Sequence, residues 1–197
     1  MKKLLKTSVA VAMFFTTLTT FANTTDFSLK VIKEEGKTIS FVLNDAKSVS
    51  LELKNDEGVV VYSENMKGNS DDVVNRTYDL SYLPKGIYFL EAETATKVIT
   101  HKITVENNIT MAEEALSEVY KPVMYTRGDQ AMLQILDINE TPVTVEILDA
   151  ENNLLYEQTY NGSIDFSKKY ELKKDMSEDY TFIIKYDNKS FIKKISL

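Results

Sequence analysis

The chain has 197 residues, a formal net charge of −7 and no cysteine. An acidic chain without a basic stripe gains nothing from counterion release on a phosphate backbone, and an anionic membrane surface repels it. With no cysteine, disulfides and thiolate metal sites are excluded, and the fold must rest on apolar burial.

Residues 1–22, MKKLLKTSVAVAMFFTTLTTFA, carry the parts of a secretory leader. Lys2, Lys3 and Lys6 form a positive start, and Leu4 to Phe15 is mostly apolar but too short to span a bilayer. Thr20 and Ala22 fit the small-residue positions before a cut at Asn23. Taking three lysines from a chain of charge −7 leaves −10. No later stretch is long and apolar enough to cross a bilayer, and no cysteine follows that could carry a lipid. The expectation is a chain exported through a cleaved signal peptide, periplasmic or extracellular, without membrane insertion and without a nucleic-acid partner.

From residue 23 to 106 the apolar residues alternate with period two, the signature of half-buried strands. Ile39, Phe41 and Leu43 share one face, then Val49, Leu51 and Leu53, Val60 and Tyr62, Tyr78 and Leu80, Tyr88, Leu90 and Ala92, and Ile103 and Val105. With an opening strand near 27–33, about seven strands are expected. The turn NDEG (55–58) supplies residues that tolerate positive φ, and KGNSDD (67–72) reads as a polar loop.

The stretch YDLSYLPKGIYFLEAET (78–94) runs from a fifth strand through a corner into a sixth. Leu80 and Leu83 should point inward, Pro84 presets φ, and Gly86 is expected to allow a positive φ so that the chain turns sharply. Tyr88 has the apolar body and hydroxyl of a tyrosine corner, bonding back to the turn. The pattern of Leu80, Leu83, Pro84, Gly86 and Tyr88, followed by Lys97 and Lys102 in KVITHKITV, resembles the C-terminal sorting domain of Bacteroidetes proteins secreted by the type IX (Por) system. The resemblance covers about 50 residues. It implies a β-sandwich and a bacterial envelope context, with secretion cargo as one role.

TMAEEALSE (110–118) follows, with Thr110 and Glu113 placed for a capping box. Residues 107–120 are read as a linker that forms either a short helix or a lead-in strand. Beyond it the chain repeats itself. VSLELKNDEGVVVYSE (49–64) aligns without a gap on VTVEILDAENNLLYEQ (143–158), and residues 77–105 align on 169–197. Gly36 falls on Gly128, Leu80 on Leu172 and Tyr88 on Tyr180, while DMSED (175–179) replaces the stretch with Pro and Gly. The organisation expected is a first domain over 23–106 and a second over 121–197. Each is an antiparallel sandwich of immunoglobulin or fibronectin III type, because two sheets bury both apolar faces against each other.

Residues for chemistry are few. His101 is the one histidine and aligns with Lys193. Both share the phase of Ile103 and Ile195, so either a bulge turns them outward or they are inward charges that protect an edge. No cofactor and no catalytic residue is expected. The carboxylates of NDEG and SDD are read as solvated turns, with calcium held by loop oxygens as the other option. Tyr82 and Phe89 lie out of phase with the core and have no aromatic counterpart in the second repeat, which makes them the candidates for a ligand surface. The function expected is a non-catalytic exported module that binds a protein of the cell envelope or acts as a spacer. The alternative is a carbohydrate-binding or adhesin-like module.

Overall fold

The computed structural model describes residues 28–44, 47–69, 71–111, 114–136, 141–161 and 165–197. The expected leader lies outside them. The first repeat forms β1 (Ser28–Glu35), β2 (Thr38–Asn44), β3 (Ser48–Asn55), β4 (Val60–Lys67), β5 (Val74–Asp79), β6 (Gly86–Glu93) and β7 (Lys97–Val105). After β8 (Ile109–Met111) and β9 (Ser117–Tyr120), the second repeat forms β10 (Val123–Arg127), β11 (Gln130–Leu136), β12 (Val143–Leu148), β13 (Leu154–Tyr160), β14 (Asp165–Glu171), β15 (Asp179–Tyr186) and β16 (Lys189–Ser196). The chain is all-β, every strand pair is antiparallel, and the described residues contain no helix.

The first repeat builds a β1-β2-β5 sheet and a β4-β3-β6-β7 sheet. The second builds β10-β11-β14 and β13-β12-β15-β16, the same order of equivalent strands. Local chemistry repeats with it. The hairpins β1–β2 and β10–β11 turn on Gly36 (φ 59°) and Gly128 (φ 56°), where the left-handed conformation matches the twist of the strands. Asn55 caps the backbone N–H of Glu57 and Val59 with its side-chain oxygen, and Asp149 does the same for Glu151 and Asn153.

Alternation then decides burial. Ile39, Phe41 and Leu43 of β2 meet Leu51, Leu53, Leu90 and Ile103 from the other sheet in one apolar cluster. Leu133, Ile135, Val145, Phe182 and Ile184 form a second cluster in the second repeat. Edge strands β4 and β13 depart from the expected pattern. Val60, Tyr62 and Leu154, placed inward by period two, are exposed, and in β4 only Met66 is buried. Each of these strands is the outermost of its sheet and, among the described residues, pairs on one side alone.

The helical alternative for the linker is corrected. Ile109–Met111 and Ser117–Tyr120 are strands that both pair with β7, at Ile103–Val105 and at Lys97–Thr100. Glu113 of the suggested capping box lies outside the described residues, and Thr110 is in strand β8. The outer edge of β7 offers backbone groups that need partners, and strand pairing there also buries Ile109 and Met111 in the first cluster. Val119 of β9 is buried in the second cluster instead, so one short strand pairs with the first repeat and packs into the second.

Charge joins the repeats at the same place. Glu91 on β6 accepts from Lys54 at 2.5 Å and from Lys189 at the start of β16. Lys121 pairs with Glu93 at 2.5 Å, and the Tyr186 hydroxyl donates to the Tyr120 carbonyl.

Candidate functional site

The corner between β5 and β6 is assembled from its own backbone. Leu80 is buried, and its N–H donates to the Lys37 carbonyl in the β1–β2 turn (2.8 Å). Leu172 makes the equivalent bond to Asp129 (2.7 Å). Leu83 packs half-buried against the core, and its N–H closes a turn onto Leu80 (3.0 Å). The Tyr88 ring is buried and its hydroxyl donates to the Pro84 carbonyl at 2.9 Å, a tyrosine-corner bond. Tyr180 is buried likewise, but its hydroxyl donates to the Lys173 carbonyl (2.6 Å) and accepts from the Lys173 N–H (3.1 Å). The role expected of Gly86 is corrected. It opens β6 opposite Val105 without a positive φ, and an added Cβ would meet only the Tyr88 ring, at 3.9 Å. Turns around Leu80–Leu83 redirect the chain, so the glycine is not needed for backbone freedom.

Beside this corner a pocket of about 190 Å³ opens between the sheets. Its floor is core: Phe41, Leu53 and Leu90. Val61 and Tyr62 of β4 form one lip and Tyr82 and Leu83 of the corner the other. Tyr82 is 93% exposed. Around the lip, the Tyr78 and Tyr62 hydroxyls both donate to Glu64 Oε2, at 2.6 and 2.9 Å, and Arg76 Nε reaches Oε1 at 3.3 Å. Hydrogen bonds from Tyr78 and then Tyr62 hold the Glu64 carboxyl below the usual range. Burial, and then the bond to Glu64, pushes the Tyr78 hydroxyl well above the ordinary tyrosine range. The exposed run Val59–Tyr62 continues this lip along the free edge of β4.

The second repeat has a pocket of about 360 Å³ in the equivalent place, with Ile147, Leu155, Tyr156, Tyr170 and Leu172 at the matching positions. Its chemistry differs. Gln158 stands where the first repeat has Glu64, and it accepts from Tyr156 (2.8 Å). Tyr156 and Tyr160 share a hydrogen bond of 2.5 Å, and burial followed by that bond pushes the Tyr156 hydroxyl up to about 12. Among the described residues the buried Tyr170 hydroxyl meets no hydrogen-bond partner of good geometry.

The two repeats differ in side-chain chemistry at this corner, and the comparisons with known proteins also distinguish them. Residues 20–106 match the family model of the secretion system C-terminal sorting domain. The sorting-domain match covers the whole first repeat and its corner, while β8, β9 and the second repeat lie outside it. It shows the resemblance read from Leu80, Leu83, Pro84, Gly86 and Tyr88, and it implies an exported protein. No curated protein matches the chain. Among solved structures, the chain is similar to a "Biofilm associated protein - BSP domain" at 18% identity and TM-score 0.30, over 86% of this chain and 29% of that one. It is also similar to native alpha-2-macroglobulin from Escherichia coli spanning domains NIE-MG1, at 11% identity and TM-score 0.29, over 87% of this chain and 97% of that one. The chain spans 29% of the length of the biofilm protein.

The remaining sequence candidates are dispersed. Phe89 is half-buried on the outer face of β6 between Lys54 and Lys102, away from the pocket that Tyr82 lines. His101 is 1% exposed within β7, in regular register with Leu90. It is therefore neither turned out by a bulge nor an edge charge, because β7 has partners on both sides. Among the described residues no three His, Cys, Asp or Glu are grouped to hold a metal ion. The Glu64–tyrosine cluster escaped sequence reasoning. Its signal was present in Val59-Val60-Val61, where three apolar residues in a row break alternation and mark a strand that is apolar on both faces.

Proposed function

We propose that the chain is an exported, non-catalytic binding module made of two immunoglobulin- or fibronectin III-like sandwiches, and that it engages a protein partner of the cell envelope through the corner of the first repeat. The three- and four-stranded sheets of each repeat, in one recurring order, support the sandwich reading. The observation that carries the binding reading is the apolar pocket reaching the first core, bordered by the free edge of β4 and by Tyr82. A free edge supplies backbone hydrogen bonds to an added strand, and a pocket beside it selects one side chain. The pocket fits an aliphatic or aromatic anchor, and Asp79 is the one carboxylate on its wall. In this role the protein acts in the periplasm or outside the cell, as a type IX cargo or an envelope component.

Val61→Glu and Tyr82→Ala test this reading, since both side chains are exposed and neither should unfold the domain. A partner captured from envelope extract and then purified should bind the wild type and lose at least tenfold in affinity to both variants. Retention on a glycan array that Tyr82→Ala alone abolishes would replace this reading with the carbohydrate-binding one.

A further inference from the structure

In the first repeat the gap between the outer strands of the two sheets is filled. β8 pairs with Ile103–Val105 of β7, and its first N–H donates to the Gly36 carbonyl at the β1–β2 turn (2.8 Å). β9 continues along β7, where Glu118 meets the buried Lys97 at 3.1 Å. The equivalent gap in the second repeat, between β10 and β16, is open. β16 pairs with β15 alone among the described residues. A cleft of about 900 Å³ runs there, along Val123, Met124 and Thr126 of β10 and Lys193–Ser196 of β16, and is also lined by Lys47, Ser48 and Thr94–Thr96 of the first repeat.

The charge of this cleft is opposite to that of the chain. Lys47, Lys121, Lys193 and Lys194 line it, with no carboxylate, in a protein of net charge −7. Lys121 is engaged by Glu93. Lys47 and Lys194 are exposed and make no ion pair among the described residues.

We infer that the β10–β16 cleft receives an extended acidic segment of a partner polypeptide, which adds antiparallel to β16 as β8 and β9 add to β7. This rests on the reading of the chain as a protein-binding module but uses a different surface. Lysine on an edge strand guards against indiscriminate pairing. Here it also selects, because a neutral or basic strand would leave the cations uncompensated while an acidic one neutralises them. Alternating acidic and apolar residues suit the site, since both lysines and the apolar Val123, Met124 and Ile195 line it.

The test uses the full exported chain and an eight-residue peptide of alternating glutamate and valine, with a lysine–valine peptide as control. The acidic peptide should bind, weaken at least tenfold between low and 0.5 M salt, and slow hydrogen exchange at the β16 amides. Lys47→Glu combined with Lys194→Glu, both at exposed positions, should reduce the affinity at least tenfold while Tyr82→Ala leaves it unchanged. Absence of binding, equal binding of the basic peptide, or protection outside β16 would overturn the inference. Failure of the corner variants with retention of this effect would remove the corner reading alone.

Discussion

Tyr88 and Tyr180 occupy one position of the repeat and bind different carbonyls, which makes them a measurable pair. Tyr88→Phe loses one hydrogen bond, to Pro84, and should cost about 1 kcal/mol. Tyr180→Phe loses a donated and an accepted bond at Lys173 and should cost about 2 kcal/mol, both read from urea unfolding. A sharper contrast lies at Tyr78 and Tyr170. Removing the Tyr170 hydroxyl deletes a buried group that has no well-formed hydrogen bond among the described residues, so Tyr170→Phe should be neutral or stabilising. Tyr78→Phe takes a bond from the Glu64 carboxylate and should destabilise at neutral pH. Because the Glu64 pKa is depressed in the folded state, this contribution is present above the unfolded glutamate value and is lost as pH falls through the folded one. The difference between wild type and Tyr78→Phe should therefore shrink toward pH 3 in parallel urea titrations. The aromatic positions themselves were legible in the sequence, since Tyr78, Tyr88, Tyr170 and Tyr180 share the phase of the core. Their hydroxyl partners were not, because Glu64 lies 14 residues from Tyr78 and is brought to it only when β4 and β5 close opposite edges of one pocket.

At the scale of elements, the segment between the repeats decides more than its length suggests. β9 pairs with β7 through its backbone and places Val119 in the core of the second repeat. Val119→Ala should therefore cost about 2 kcal/mol and also loosen a strand it does not belong to. Hydrogen exchange should quicken at the amides of the β7–β9 ladder as well as in the second repeat; acceleration confined to the second repeat would show that the two are not coupled. Of the two readings of 110–118, short helix or lead-in strand, the strand prevails, because propensity over nine residues is a weak prior against an unsatisfied strand edge. Inward phase was likewise insufficient for Val60, Tyr62 and Leu154, which are exposed on edge strands. His101 and Lys193 show the same rule from the other side. One position of the repeat is buried where β7 is covered and half-buried where β16 is an edge.

At the scale of the molecule, Glu91 connects the repeats by accepting from Lys54 in the first and Lys189 in the second. Burial raises the carboxyl's pKa, the bonds from Lys189 and Lys54 lower it, and the net effect is a depressed value. A carboxylate lowered in the folded state stabilises above its unfolded pKa and loses that contribution as the pH falls. The junction should therefore loosen below about pH 4, and Glu91→Gln should reproduce the loosened form at neutral pH. Small-angle scattering reads this as an increase in maximum dimension, and an unchanged profile would show that β9 alone holds the repeats together.

The sequence by itself determined the strands shared by the two repeats, the inward faces of the central ones, the duplicated pattern and the corner that resembles a sorting domain. All of these are written in local periodicity and in turn residues such as Gly36, Gly128, Asn55 and Asp149. Tertiary structure alone decided which edges are covered, where the apolar pockets open, and which charges meet across the repeats. The reason is physical. A side chain's face follows from its neighbours two residues away, whereas the burial of an edge depends on a segment that arrives from elsewhere in the chain.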